Sequence, residues 1–481
     1  MTYSHFERLS ALDNSFLGIE DGVSHMHIGS VAIFEKGPFG TLAGGVDIEA
    51  IRTLMESELH RVPRYRQRLR RTPVFDQPVW VDDPHFNLSY HVRHTHLPLP
   101  GDDRQLKRLA ARLMSQELDR GRPLWEMWVV EGLPDDRFAI VTKVHHCMID
   151  GVGSVQLTGA LMRPTPDRPA AIDPPPRWIP RPEPSPLELV AAELVHRVVT
   201  PAKALAAAAL ATVRPASALG GARDMATALG ASLGAGFRPA SPTPLNVPIG
   251  PHRRFDWTIA DMGALKAVRA RHGGTVNDIV LTVLAGALRT FLHRRGLDPS
   301  SLDFRVMVPV NVRDAKSRDE VGNRVAMIVV RLPLEERDPV ERLRLTVAET
   351  MRVKRSKQAA GTQLIESFSD ATFPTLMVQF ANLTALARPF NVVVTNVPGP
   401  PVPVYMHGAR MLAAHPLVPL FANQALGIAL FSYAGKLHWG FNADWDALPD
   451  LHDLVESVER ELAVLTARAP AEQADPRVAH I

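Results

Sequence analysis

The stretch RPTPDRPAAIDPPPRWIPRPEPSP, residues 163–186, constrains the fold more than any other part of the chain. Proline lacks the amide hydrogen that helices and central strands need and fixes its own φ, so a run this dense lies inside neither. It reads as a semi-rigid extended linker. It divides 481 residues into stretches that must each build a core, as length alone expects. The organisation expected is a domain over 1–165, a Pro-rich linker with an Ala/Leu-rich helical connector over 166–250, a second domain over 251–468, and a tail over 469–481.

Strand-like and helix-like patterns alternate on both sides of the connector. HIGSVAIFE reads as a strand, and DDRQLKRLAARLMSQELDRG as an amphipathic helix carrying Leu106, Leu109, Leu113, Met114 and Leu118 on one side. LWEMWVVEGL and RFAIVTKVHH, joined through PDD, read as a hairpin. The connector, residues 187–236, is expected to be helical, broken at Pro201 and Pro215, and packed on the body more readily than on a membrane. Beyond it, MGALKAVRARHGG and TVNDIVLTVLAGALRTFLHRRG read as helices, the second capped near Thr275 or Asn277. DFRVMVPVNVR, NRVAMIVVRLPL and FNVVVTNVPGP read as strands, and ALGIALFSYAGKLHWGFNADW as a hairpin turning at Ala434–Gly435. Two α/β units result.

Composition removes several function classes. Fifty-four basic against 51 acidic residues leave a charge of +3, which gives no argument for nucleic acid. The cluster RVPRYRQRLRR, with Arg61, Arg64, Arg66, Arg68, Arg70 and Arg71, reads either as a solvated basic face or as a seat for phosphates or anionic lipid heads. Cys147 stands alone, so no internal disulfide forms and a reducing cytosol is compatible. No secretory signal and no run of about 18 apolar residues is visible, so no membrane span is expected.

The chemistry concentrates in KVHHCMIDGVG, residues 143–153. A strand ending in His145-His146 turns the two rings to opposite faces, so one can serve a cleft while the other supports it. An imidazole titrates near neutrality and can take a proton from a hydroxyl or thiol. Asp150 can orient a ring or hold the turn, and Gly151 lets substrate approach the backbone. An unremarkable histidine pair and a metal site remain alternatives at this point, His91, His94 and His96 of HVRHTH being further possible ligands. No HExxH, cysteine set or GxSxG elbow accompanies them.

HHCMIDG matches HHxxxDG in full and resembles the signature of the bacterial wax ester synthase/acyl-CoA:diacylglycerol acyltransferase family, within the CoA-dependent, chloramphenicol acetyltransferase-like superfamily. LSALDNSFL, HMHIGSVAIF, RVPRYRQRL and RPLWEMWVVEGL resemble its N-terminal half. IGPHRRF, VNDIVLTVLAGALR, PVNVR, VGNRVAMIVVRLP and TNVPGPP resemble its C-terminal half in the same order, over roughly residues 4–465. The DFGWG motif of distant plant and condensation-type relatives is absent, as in the wax synthase branch.

The resemblance implies two chloramphenicol acetyltransferase-like α/β domains with mixed sheets and an active-site tunnel at their interface. It implies His146 as general base, His145 as support, and Asp150 as a structural residue paired across the junction with Arg313. Asn277 becomes a possible oxyanion donor. Trp125, Asp278, Asn396 and Gly399 become candidates for shaping or lining the substrate site. The function implied is transfer of a long-chain acyl group from acyl-CoA to diacylglycerol or a long-chain alcohol, without an acyl-enzyme, cofactor or metal. A cytoplasmic protein resting peripherally on a membrane or lipid droplet follows from such acceptors. Two other readings stay open: the same chemistry from a carrier-protein thioester to a complex-lipid hydroxyl, and a non-catalytic lipid-binding protein.

Overall fold

In a computed structural model of the chain, residues 5–148, 160–167, 177–212, 239–311, 325–355 and 388–468 are described. The elements of the first half are β1 (Phe6–Arg8), α1 (Ala11–Ile19), β2 (His27–Glu35), α2 (Ile48–Glu58), β3 (Gln67–Arg71), β4 (Pro78–Asp82), α3 (Leu88–His91), β5 (Val92–His96), α4 (Asp103–Met114), β6 (Trp125–Glu131), β7 (Arg137–His145) and β8 (Met162–Arg163). The connector helix α5 is Pro186–Thr212. There follow β9 (Arg253–Asp261), α6 (Met262–His272), α7 (Val276–Arg294), β10 (Arg305–Asn311), β11 (Val325–Arg331), α8 (Pro339–Arg355), β12 (Val392–Pro398), β13 (Tyr405–Met406), β14 (Ala409–Leu417), β15 (Leu426–Tyr433), β16 (Lys436–Asp444) and α9 (Leu451–Ala467).

Local chemistry explains the firmest of these. Asp102 and Gln105 close a reciprocal capping box at the start of α4, a cap of about 1 kcal/mol, and Leu106, Leu109, Leu113 and Met114 lie buried along one side. β15 and β16 turn through Ala434 (φ 44°) and Gly435 (φ 78°), the two left-handed residues a tight hairpin requires. Helix α7 is buried on most of its circumference, from Ile279 to Leu292. Among the described residues it alone is long and apolar enough to cross a membrane, and 72% of its apolar window is buried inside the protein, so it is a core helix.

The two larger sheets are mixed, as in the α/β class, and the small one is antiparallel. One is six-stranded, in the order β11-β10-β12-β15-β16-β9; a small one is β1-β4-β3. The largest, β5-β6-β7-β2-β14-β13-β8, takes two strands from far down the chain. β14 lies antiparallel to β2, with His415 opposite Val31 and Leu417 opposite Gly29. The second unit expected over 251–468 therefore contributes Tyr405–Leu417 to the first unit's sheet. Likewise Leu245 and Ile249, placed in the connector by composition, are buried in the C-terminal core.

The seam between the halves is tight. A side chain at Gly440 of β16 would meet the Pro416 carbonyl of β14 at 1.8 Å, so only glycine lets the strands pass. His415 stacks on Trp257 of β9 with ring centroids 4.4 Å apart. Lys107 of α4 meets Asp256 of β9 at 2.5 Å. Arg253 of β9 donates to the Gly250 carbonyl at 2.6 Å and also reaches the Val23 carbonyl in the first half.

Several sequence expectations change here. The described end of the Pro-rich run is laid on the first domain: Arg181 donates to Asp82 at 2.8 Å, and the Trp178 ring stands 6.2 Å from Phe86. Helix α5 continues through Pro201, where a break was expected. One proline removes a single intrahelical bond, and the alanine-rich turns that follow are the strongest helix formers. α5 was expected to pack on the body. Leu189 is buried against Val79 and Val81, but Leu187, Leu194, Val195 and Val198 are exposed. The arginine cluster is not a free anion seat. Arg61 pairs with Glu58 at 3.0 Å, Arg64 with Glu7 at 2.8 Å, Arg68 with Glu183 at 2.8 Å and Arg71 with Asp76 at 2.7 Å. Arg70 shares Glu183, and Arg66 lies over the Trp178 ring. Of the HVRHTH histidines, His91 is buried and stacked on Trp125 at 4.6 Å.

Candidate active site

β2 and β7 run antiparallel with His27 opposite His145. β7 ends there, and His146–Met148 forms one 3-10 turn. The turn is fixed at the main chain from both sides. The His146 N–H donates to the Met26 carbonyl at 2.7 Å, and the His145 N–H to the Leu124 carbonyl at 2.9 Å. The Cys147 N–H donates to His145 Nδ1 at 3.1 Å. A ring nitrogen that accepts a hydrogen bond carries no hydrogen, so this bond assigns His145 the Nε2–H tautomer.

The rings of the pair part company, as strand alternation dictates. His146 is partly buried, its ring stacked on Phe16 of α1 with centroids 4.0 Å apart. Among the described residues its Nδ1 has no hydrogen-bond partner. Burial lowers its pKa to about 4; a contact with its own main chain opposes this, and the neighbouring His145 ring adds to it. The imidazole is therefore neutral, and able to accept a proton, at any pH above that value.

His145 turns inward to a buried polar cluster. Its Nε2 stands 3.3 Å from Glu20 Oε2. The same oxygen accepts from Arg120 Nη2 at 2.5 Å, while Glu20 Oε1 accepts the Met26 N–H at 3.0 Å. His27 Nε2 lies 3.6 Å and His25 Nδ1 4.0 Å from Oε1. Burial pushes the Glu20 carboxyl up, but its contacts with His145, Arg120 and His27 outweigh this and hold it at about 2. Burial also pushes His27 well below its ordinary value, so the standing cationic partner of Glu20 is Arg120.

Sequence reading had not singled out Phe16, Glu20, His25, His27, Met26 or Arg120 as site residues. The alternating His25 and His27 at the entrance to β2 were a visible signal. Nothing local marks Glu20 or Arg120.

The other candidates fall in different places. Asn277 does not cap α7; Thr275 does, in a capping box with Asp278. Asn277 accepts a hydrogen bond from Asn396 Nδ2 at 2.6 Å, so two residues picked out separately in sequence meet across α7 and β12. Asp278 is engaged on both oxygens: Oδ2 takes the Thr275 N–H at 2.8 Å and Oδ1 takes the Thr350 hydroxyl at 2.7 Å. It is buried and ties α7 to α8. Trp125 is packed in the core: its indole N–H donates to the Tyr65 carbonyl at 2.8 Å and the residue is 1% exposed. At Gly399 a side chain would meet the Phe431 ring at 2.3 Å, so that glycine serves close packing of β12 on β15. Asp150, Gly151 and Arg313, with the proposed Asp150–Arg313 pair, lie outside the described residues. Among the described residues no group of histidines, cysteines and carboxylates is arranged to hold a metal ion.

Two lobes of mixed α/β layers, with His146 at the end of a strand, frame the comparison with known proteins. The wax ester synthase/diacylglycerol acyltransferase catalytic domain matches residues 9–280, and the C-terminal domain of the same family matches residues 321–466. The chain belongs to that family and is an acyltransferase. It is 34% identical over 471 residues to the "Probable diacyglycerol O-acyltransferase tgs1" of Mycobacterium tuberculosis, covering 95% of this chain and 96% of that one. The solved wax ester synthase/diacylglycerol acyltransferase of Marinobacter aquaeolei VT8 superposes with a TM-score of 0.69 at 26% identity, covering 96% of this chain and all of the other. The first condensation domain of the calcium-dependent antibiotic synthetase, bound to a substrate analogue, superposes at 0.57 with 18% identity, covering 97% of this chain and 98% of the other; that likeness is one of fold.

Proposed function

We propose that this acyltransferase moves a long-chain acyl group from acyl-CoA to the hydroxyl of a diacylglycerol or a long-chain alcohol, giving triacylglycerol or wax ester. His146 takes the hydroxyl proton as the oxygen bonds to the thioester carbon. The carbon–sulfur bond then breaks, and the same proton goes to the leaving CoA thiolate. The imidazole ends as it began, so neither an acyl-enzyme nor a cofactor enters. Asn277 supplies an amide for the tetrahedral oxyanion, and Asn396 holds its oxygen. The acyl chain and the acceptor reach His146 from opposite ends of a channel between the lobes.

One observation carries this reading: a neutral imidazole, clamped at its main chain by Met26 and at its ring by Phe16, with a ring nitrogen left unpartnered among the described residues. The names of the relatives that cover nearly the whole chain supply the substrate classes. Such acceptors reside in lipid, so the protein works from the cytoplasm at a membrane or droplet surface, reached through the exposed apolar side of α5.

The test is thiol release from palmitoyl-CoA by the full chain with hexadecanol or dioleoylglycerol. His146→Ala is expected to lower turnover about 10²–10⁴-fold with an unchanged circular dichroism spectrum. Wild-type turnover in that variant removes the assigned base, and no release with either acceptor removes the substrate assignment.

A further inference from the structure

We infer that Glu20 is a positioning residue for His146, acting through two relays that meet at its carboxylate. The inference rests on the acyl-transfer reading of the site and adds a residue to it. One relay runs through the main chain: Glu20 Oε1 accepts the Met26 N–H at 3.0 Å, and the carbonyl of Met26 accepts the His146 N–H at 2.7 Å. The other runs through the ring before the base. Glu20 Oε2 lies 3.3 Å from His145 Nε2, an electrostatic contact outside hydrogen-bond geometry that favours a hydrogen on Nε2, and Nδ1 of that ring accepts the Cys147 N–H at 3.1 Å, which fixes the peptide just after His146. One carboxylate thus holds the peptides on both sides of the base. Glu20 is also the C-terminal cap residue of α1, the helix whose Phe16 lies on the imidazole.

The charges around Glu20 suit this role. Arg120, from the loop after α4, takes Oε2 at 2.5 Å, so the buried carboxylate has a fixed cationic partner. A buried charge without one would cost several kcal/mol. His25 and His27 face Oε1 from the entrance to β2. Glu117, Lys143 and Arg253 stand farther out and act on those two histidines. Three ring nitrogens of the cluster, His25 Nδ1, His27 Nδ1 and His145 Nε2, make no hydrogen bond among the described residues, so the carboxylate acts on these rings through its charge. Glu20 touches no reacting atom in this arrangement. Its effect is on where the imidazole sits, and a misplacement of about 1 Å at a reacting group can cost around a hundredfold.

The experiment compares wild type, Glu20→Gln, Glu20→Asp and Arg120→Gln as full chains, by steady-state thiol release and by long-range ¹⁵N–¹H correlation of labelled histidines, with His145→Gln as the assignment control. The expected result is a kcat roughly 10–100-fold lower in Glu20→Gln with an unchanged KM for palmitoyl-CoA, and partial recovery in Glu20→Asp. His145 is expected as the Nε2–H tautomer in wild type, with that form lost in Glu20→Gln. Wild-type kcat in Glu20→Gln, or a loss confined to KM, overturns the inference. Should Glu20→Gln not fold, Arg120→Gln decides, because Arg120 is more exposed and shares the same oxygen: a lowered kcat supports the inference and a wild-type value overturns it. An Nδ1–H form of His145 in wild type overturns it whatever the turnover, which separates its failure from that of the acyl-transfer reading.

Discussion

Phe16 lies against His146 with ring planes inclined by 28° and centroids 4.0 Å apart. The contact joins a helix near the start of the chain to the end of β7 and withholds water from one face of the imidazole. Desolvation is the largest cause of the lowered pKa of that ring, and it acts against the charged form.

Phe16→Ala should therefore move the imidazole back toward the ordinary histidine value of about 6.5. The sign follows from the base needing its neutral form. Wild type keeps that form down to about pH 4, so its activity should hold across the mildly acid range. The variant should lose it as pH falls below about 6.5, and its acid limb in kcat/KM should lie at higher pH. Superimposable profiles for the two proteins would deny Phe16 this part.

The amide pair at α7 gives a second outcome. Asn396 Nδ2 donates to Asn277 Oδ1 at 2.6 Å, which leaves the Asn277 NH₂ group to present its hydrogens elsewhere. Loss of an oxyanion donor costs about 10²–10³-fold in rate, so Asn277→Ala should fall in that range. Asn396→Ala keeps the donor and loses its support, and should lose less. Equal losses in the two variants, with equal losses in melting temperature, would make the pair a brace between helix and strand.

Stability should also depend on pH through the seam. His415 and His438 are buried with ring centroids 5.3 Å apart, and both ring nitrogens of His438 lack partners among the described residues. Burial holds His438 at about 4 and His415 well below its ordinary value. An unfolded histidine binds its proton near 6.5, so between about pH 6.5 and 4 the unfolded chain holds more protons than the folded one. Stability contributed by the neutral rings is full above that window and is lost as pH falls through it, at up to roughly 3 kcal/mol for His438. His438→Leu removes the unpartnered nitrogens and should flatten this slope in urea titrations at pH 7 and pH 5. An unchanged slope would place the acid sensitivity elsewhere.

How much of this was legible in sequence depended on the distance over which each feature is decided. The β6–β7 hairpin and the turn at Ala434–Gly435 rest on neighbours in the chain, and pattern reading found both. Membership of β14 in the first sheet rests on pairing with β2 more than 370 residues earlier, which no local period records. The burial of Trp125 and the engagement of Asp278 are decided by Tyr65 and Thr350, again distant in sequence. His146 stood out because its neighbours in the chain carry the signature. Glu20 did not, because Arg120 is 100 residues away and becomes its partner only after folding. Pro201 misled for a different reason: one missing hydrogen bond is a local penalty, and an alanine-rich helix absorbs it.

The exposed side of α5 sets the last expectation. The helix rests on the small sheet through Leu189, and through Glu193, which takes Arg197 at 2.7 Å and also meets Arg8. Leu187, Leu194 and Val198 lie seven and four residues apart, with Val195 beside Leu194, and face away from that contact, one apolar stripe on a helix. Moving two such side chains from water into lipid is worth about 3 kcal/mol, roughly a hundredfold in partitioning. Leu194→Glu with Val198→Glu should then lower co-flotation with phosphatidylcholine vesicles holding dioleoylglycerol by about that factor. Turnover on vesicle-borne acceptor should fall with it, while a short, water-soluble alcohol should be acylated at the wild-type rate. Because the arginines at 61–71 already hold carboxylates or rings, salt should weaken binding little. Steep salt dependence, or flotation unchanged in the double variant, would move the lipid contact away from α5.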